Sequence, residues 1–197
     1  VIPEYRSKKV VNLMSDCVSK LANRRCLLIT AFISMCFLWG GTAYLMLAYR
    51  LLSFLSEKRV ILLISGLYYI CQAVGISIFS MLTAKIPTIA EVRVLPVYIS
   101  IALVLCTGVA VFVSSVSIII LAGALINIFI GGLCAYCLTK LAFETTQGRR
   151  GLVFGIAYAV SKIGAWLLSL PMNGEFFRCK ECFFVFTIIV AVTLLLL

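Results

Sequence analysis

The chain alternates between long apolar runs and short, mostly basic polar segments. Uncharged runs cover 26–49, 60–84 and 94–139, and two further apolar stretches follow at 151–171 and 183–197. A bilayer has a hydrocarbon core about 30 Å thick and a helix rises about 1.5 Å per residue, so about 20 apolar residues make one span. These runs therefore predict transmembrane helices.

The run 94–139 is about twice as long as one span needs, so it must fold back on itself. The expected turn lies at Ser114–Ser117, where small hydroxyl residues cluster. The sequence thus predicts an all-α integral membrane protein with a basic cytoplasmic segment at 1–25 and a six-helix transmembrane domain at 26–197. The predicted spans are about 26–49, 60–84, 94–113, 117–139, 151–171 and 183–197.

The composition agrees with lipid as the solvent. Hydrophobic residues make up 63% of the 197 residues and charged residues only 12%, whereas a soluble domain is nearer half apolar and a quarter charged. The net charge of +10 sits beside the apolar runs, as headgroup anchors do, and no basic patch is interleaved with stacking aromatics. Nucleic acid is therefore not an expected partner. Because the chain begins at Val1 and stops inside a leucine run, we expect a segment of a longer protein.

The basic residues are unevenly divided between the two sides of the predicted membrane. Of the 17 Lys and Arg residues, eleven fall on the side of the N-terminus, here called side A, and five on side B, with Lys162 inside a span. The positive-inside rule makes side A cytoplasmic, and we expect the plasma membrane. Side A holds Arg6, Lys8, Lys9, Lys20, Arg24, Arg25, Lys85, Arg93, Lys140, Arg149 and Arg150; side B holds Arg50, Lys58, Arg59, Arg178 and Lys180.

Lys162 is the only charged residue deep inside a predicted span. It lies 12 residues past Arg150, about 18 Å along a helix. Such a charge costs a few kcal/mol in hydrocarbon and usually faces a bundle interior or an aqueous cavity. It shares a helix face with Gly151, Gly155 and Ala159, small residues against which another helix can pack closely. The alternatives are a lysine that snorkels to the headgroups or a structural ion pair.

Other polar and aromatic side chains in the spans have two interpretations each. Gln72 and Asn127 either line a pathway or hydrogen-bond across helices. Aromatic residues either line a cavity or serve as packing and interface anchors. The aromatics concerned are Trp39, Tyr44, Tyr68, Tyr69 and Trp166.

Two Cys-x-x-Cys pairs, Cys134 with Cys137 and Cys179 with Cys182, leave open a membrane thiol–disulfide enzyme. The other interpretation is a local disulfide or free thiols. The chain has no His, which reduces the usual zinc ligand sets to cysteine alone. We predict no metal, no cofactor and no enzymatic activity.

The stretch 144–171 resembles a pattern of the major facilitator superfamily, at the junction of its tenth and eleventh helices. The closest branch is that of the organic ion transporters and their synaptic-vesicle-type relatives. An acidic residue closes one helix, an arginine and glycines follow, and a basic residue stands beside Ile-Gly. Here Arg150, Gly155, Lys162 and Gly164 match, and Glu144 is the acidic residue, although its spacing to Arg150 is about one residue short.

The start of the chain fits the same family. Leu21, Arg24 and Arg25 precede a span with Trp39 and Tyr44, as in the seventh helix of that family. The resemblance therefore covers helices seven to twelve. It implies that the six-helix bundle is one half of a twelve-helix major facilitator fold and packs on an N-terminal six-helix half of the same protein.

The resemblance implies transport of a small organic solute by alternating access. The position of Lys162 resembles one that is basic in anion carriers, which favours an organic anion. The expected substrate-binding residues are Lys162, Tyr44, Gln72, Asn127 and Trp166, and the expected gating residues are Glu144, Arg149 and Arg150.

The chain also departs from the family pattern. The Phe-Pro usually found between the acidic residue and the arginine is missing, and the 85–93 loop lacks the expected Gly-Arg-Arg cluster. These missing gating motifs favour the alternative of a non-transporting membrane scaffold or receptor.

The orientation predicts which cysteines are reachable from outside the cell. In single-cysteine variants, a membrane-impermeant maleimide should label Cys179 or Cys182 on intact cells and should label Cys17 only after permeabilisation. Labelling of Cys17 on intact cells would reverse the orientation.

Overall fold

The computed structural model describes residues 24–86, 88, 95–145, 147–172 and 179–195. These residues are helical apart from short connections, and they include no strand. A π-helical turn, Leu67–Cys71, joins the helix Glu57–Gly66 to the helix Gln72–Lys85 without a break. The helices are α1 (Arg24–Leu52), α2 (Glu57–Gly66), α3 (Gln72–Lys85), α4 (Leu95–Phe112), α5 (Val116–Glu144), α6 (Gln147–Met172) and α7 (Cys179–Leu195).

Five helical segments are long and apolar enough to cross a membrane. The prediction of a helical membrane protein is thereby confirmed at this level. The five segments are Cys26–Leu52, Glu57–Lys85, Leu95–Phe112, Val116–Glu144 and Gly148–Leu168. A shorter apolar helix, Phe183–Leu194, occupies the predicted sixth span, so the count of six spans stays a prediction. The predicted basic segment lies almost wholly outside the described residues, as do Arg93 and Arg178.

The long uncharged run is divided where its serines cluster. The fourth helix ends at Phe112 and α5 begins at Val116, so 113–115 form the turn, while Ser117 is already helical. Arg50, near the end of α1, holds this turn: its Nη2 donates to the Val113 carbonyl at 3.0 Å, and its guanidinium lies 4.7 Å from the centre of the Phe54 ring. The turn is therefore attached to the α1–α2 corner.

The first helix, α1, is the centre of the packing and contacts α2, α4, α5, α6 and α7. Its buried side chains include Ile33, Trp39 and Leu47, which are each about 1% exposed. The Trp39 ring packs against Phe186 of α7 at 6.1 Å between centroids. Because α1 buries side chains on several faces, it packs against five other helices.

Hydroxyl side chains inside the helices bond to their own backbone. Thr30, Ser34 and Thr107 each donate to the carbonyl four residues earlier, at 2.7 Å. Hydrocarbon offers no other partner to a hydroxyl group, so this local bond removes the cost of burying it. These polar residues therefore need no partner on another helix.

Helices α3 and α5 cross with backbone against backbone. A β-carbon at Gly75 would overlap the Ile128 carbonyl, and one at Gly131 would overlap the Gln72 carbonyl. At Gly132 the nearest atom would be the Gly75 carbonyl oxygen, 3.9 Å away, which is ordinary contact. Glycine is thus required at two positions because backbone lies against backbone there.

Replacing Gly131 by Ala should lower the free energy of unfolding by about 1–3 kcal/mol, because the added methyl group forces the two helices apart. Replacing the neighbouring Gly132 by Ala should leave stability unchanged or raise it by up to about 1 kcal/mol through helix propensity. Denaturant titration of the detergent-solubilised protein measures both. Equal effects of the two substitutions would contradict the close crossing.

Candidate functional site

A cavity of about 420 Å³ opens between α1, the α2–α3 segment, α5 and α6. Three of the predicted substrate-binding residues line it: Tyr44 from α1, Gln72 from the start of α3, and Lys162 from α6. These residues are far apart in sequence, so only the packing of the helices brings them together. This cavity is therefore the candidate functional site.

Two glycines of α1 allow the neighbouring helices to pack closely beside the cavity. A β-carbon at Gly40 would lie 3.2 Å from the Ile130 side chain of α5, and one at Gly41 would lie 3.3 Å from Ala165 of α6. Both glycines line the cavity. Their lack of side chains lets α5 and α6 approach α1 beside the cavity without filling it.

One wall carries three tyrosines. The ring centroids of Tyr44 and Tyr68 lie 5.4 Å apart, and those of Tyr68 and Tyr69 lie 5.3 Å apart, both pairs edge to face. Tyr68 and Tyr69 are consecutive residues of the π-helical turn and both line the cavity. A π turn is wider than an α turn and is frequent at functional sites.

The opposite wall carries a second aromatic cluster beneath Lys162. Phe37 packs against Phe154 and Tyr158 at 5.9 and 6.2 Å between centroids. The Lys162 Nζ lies 5.1 Å from the centre of the Tyr158 ring, which is a cation–π distance. The ammonium group thus points back along α6, toward the residue one turn earlier.

Among the described residues, no carboxylate forms an ion pair with Lys162. Its side chain is exposed, and no Asp or Glu is among the described residues that line the cavity. The lining also contributes the hydroxyl groups of Ser65 and Ser161. Such a site presents a fixed positive charge, aromatic faces and a few hydrogen-bonding groups, which together suit an anion with an apolar body.

Asn127 and Trp166 lie outside the cavity lining. Asn127 is 2% exposed, and its Nδ2 donates to the Gly123 carbonyl one turn earlier at 2.8 Å, so it bonds within α5. Trp166 is 60% exposed on the outer face of α6. The packing therefore does not bring these two predicted binding residues to the other three.

The predicted gating residues lie at the α5–α6 corner. Glu144 accepts from Lys140 Nζ at 3.3 Å, one turn earlier in α5. Arg150 Nε donates to the Thr145 carbonyl at 3.3 Å, and its Nη2 donates to the Ala142 carbonyl. Arg150 therefore binds the carbonyl groups at the end of α5, and the ion-pair partner of Glu144 is Lys140. Arg149 is half-buried at the same corner.

The small-residue face of α6 is open in this structure. A β-carbon at Gly151 or Gly155 would meet nothing within 4 Å, and both glycines and Ala159 are exposed. The predicted close helix contact is not made by any described residue of this chain.

The cysteine side chains that the structure describes are all free thiols. Cys36 and Cys134 line the cavity and Cys137 is buried, and all three are free thiols. Among the described residues, no group of three or more His, Cys, Asp or Glu is arranged to hold a metal ion. The side chains of Cys179 and Cys182 lie outside the described residues.

Sequence reasoning did not single out Phe37, Phe154 and Tyr158 as part of the site. Helical spacing could have predicted two of them, because Tyr158 and Phe154 stand four and eight residues before Lys162 and so lie on the same face of the helix. Phe37 stands seven residues before Tyr44, which is two turns of α1.

No family model, curated protein or solved structure matches this chain. Membership of the major facilitator superfamily accordingly stays a resemblance that rests on the sequence motifs alone.

Proposed function

We propose that this chain forms part of a membrane transporter for a small organic anion, which binds in the cavity between α1, the α2–α3 segment, α5 and α6. The observation that supports this most directly is the ammonium group of Lys162 at the cavity, with no carboxylate among the described residues that line it. The family resemblance is the basis for proposing transport, and the positive charge of the cavity is the basis for proposing an anionic substrate.

The electrostatic argument does not depend on the family. An ammonium group and an anion about 4 Å apart attract each other by about 1 kcal/mol in water and about 4 kcal/mol at an effective dielectric constant near 20. A cation at the same place is repelled by a similar amount. The cavity should therefore discriminate between anions and cations of equal size.

The size and the walls of the cavity suit a small organic solute. Its volume of about 420 Å³ falls within the range of roughly 300–1,000 Å³ that is typical of ligand pockets. The aromatic side chains Tyr44, Tyr68, Phe154 and Tyr158 offer apolar area, while Gln72 offers an amide. A bare inorganic ion would leave most of this surface without contact.

The exposed residues of the cavity favour a covering partner. Tyr69 is 72% exposed, Tyr158 is 46% exposed and Lys162 is exposed beside them. A charge facing hydrocarbon is costly, so this face should contact protein or water. In the proposed arrangement, an N-terminal six-helix half of the same protein covers it, and the two halves rock about the site. Glu144, Arg149 and Arg150 would act at the cytoplasmic gate.

The test is uptake by the full-length protein in proteoliposomes, with small radiolabelled carboxylates and sulfate conjugates as anions and quaternary ammonium compounds as cations. Lys162→Ala should raise the KM for anions by roughly tenfold or more, since an ion pair is lost in a site of low dielectric. Lys162→Arg should retain uptake. Lys162→Asp should abolish anion uptake and favour cations.

Lys58 lies in the first turn of α2, on side B, and does not line the cavity. Lys58→Ala is therefore the matched control for loss of one positive charge and should leave the KM unchanged. Anion uptake that survives Lys162→Ala and Lys162→Asp with unaltered affinity would show that Lys162 is structural. Anion binding that depends on Lys162 without any flux would instead support the scaffold or receptor alternative.

A further inference from the structure

A second concavity lies on the other side of the α3–α5 crossing. This groove of about 340 Å³ runs between α3, α4 and α5. Gly75 and Gly132 line it at the crossing, and Phe79, Leu82 and Tyr98 line it farther along. Its lining is apolar apart from the Tyr98 hydroxyl group, and it shares no lining residue with the cavity of Lys162. A ligand of this groove would therefore differ in chemistry from a ligand of the Lys162 cavity.

The groove and the end of α3 beyond it extend over about half of the membrane thickness. The lining of α3 runs from Gly75 to Leu82, or about 10.5 Å, and Lys85 ends the helix about 15 Å from Gly75, against a hydrocarbon core about 30 Å thick. Leu95 and Tyr98, in the first turn of α4, line the same end of the groove. One acyl chain of the side-A leaflet has this length and these apolar surroundings.

A positive charge ends α3 one turn beyond the groove. Lys85 is the last residue of α3 and stands three residues after Leu82, which lines the groove. Lys85 is exposed and has no carboxylate partner among the described residues. Tyr98 is 67% exposed, and a phenol near a helix end is typical of the headgroup region.

We propose that this groove binds one anionic phospholipid from the side-A leaflet, with an acyl chain along Phe79 and Leu82 and its phosphate group at Lys85. Charge complementarity selects an anionic headgroup, because Lys85 has no counterion among the residues that the structure describes. The excess of Lys and Arg on side A predicts that this leaflet is cytoplasmic, where anionic lipids are concentrated. This assignment does not depend on transport.

Native mass spectrometry of the full-length protein tests the proposal, with phosphatidylglycerol and phosphatidylcholine that carry identical acyl chains. One phosphatidylglycerol should be retained about fivefold more strongly, which is the contribution of one lysine at the membrane surface. Lys85→Gln should bring the two lipids close to parity. Lys58→Gln, at the side-B end of the same helical segment, should leave the preference intact.

A second pair of variants tests the acyl-chain site. Leu82 is 44% exposed, so Leu82→Trp adds volume at the rim of the groove and should reduce retention of both lipids. Leu62→Trp, at a position that is 77% exposed and outside the groove, should not. Equal retention of the two lipids by the unmodified protein, an equal effect of Lys85→Gln and Lys58→Gln, or an equal effect of the two tryptophans would overturn the proposal.

Discussion

The contact between the backbones of α3 and α5 is the constraint on which both concavities depend. Gly75 meets the Ile128 carbonyl and Gly131 meets the Gln72 carbonyl, so no side chain can occupy the crossing. The cavity that Gln72 lines opens on one side, and the groove that Gly132 lines opens on the other. A wider separation of the helices would alter both at once.

The π-helical turn determines which side chains of the α2–α3 segment line the cavity. One additional residue in a turn rotates the following helix by about 100° relative to the preceding one. With the turn at Leu67–Cys71, the consecutive residues Tyr68 and Tyr69 both line the cavity, and the glycine face of α3 still meets α5. This irregular turn therefore allows one helical segment to provide both the aromatic wall of the cavity and the close crossing with α5.

The length of each apolar run predicts the helices because bilayer thickness alone sets that length. The depth of Lys162 likewise follows from counting residues along α6. The cavity could not be predicted, because it depends on which faces of four helices meet. Gly131 and Gly132 are equivalent in the sequence, yet only Gly131 excludes a β-carbon. Asn127 is equally ambiguous, since an amide can bond across helices or, as here, within its own helix.

The direction of the Lys162 side chain bears on whether it snorkels to the headgroups. Ten residues separate it from Met172, or about 15 Å of helix, and its Nζ lies over Tyr158, one turn in the opposite direction. Side chains of helices tilt toward the N-terminus, which here means toward the middle of the span. A four-carbon stem directed this way carries the ammonium group away from the nearer membrane surface. Lys85, in contrast, is the last residue of its helix. The two lysines thus differ in their position on the helix, and a charge at the depth of Lys162 is usually placed toward water or protein rather than hydrocarbon.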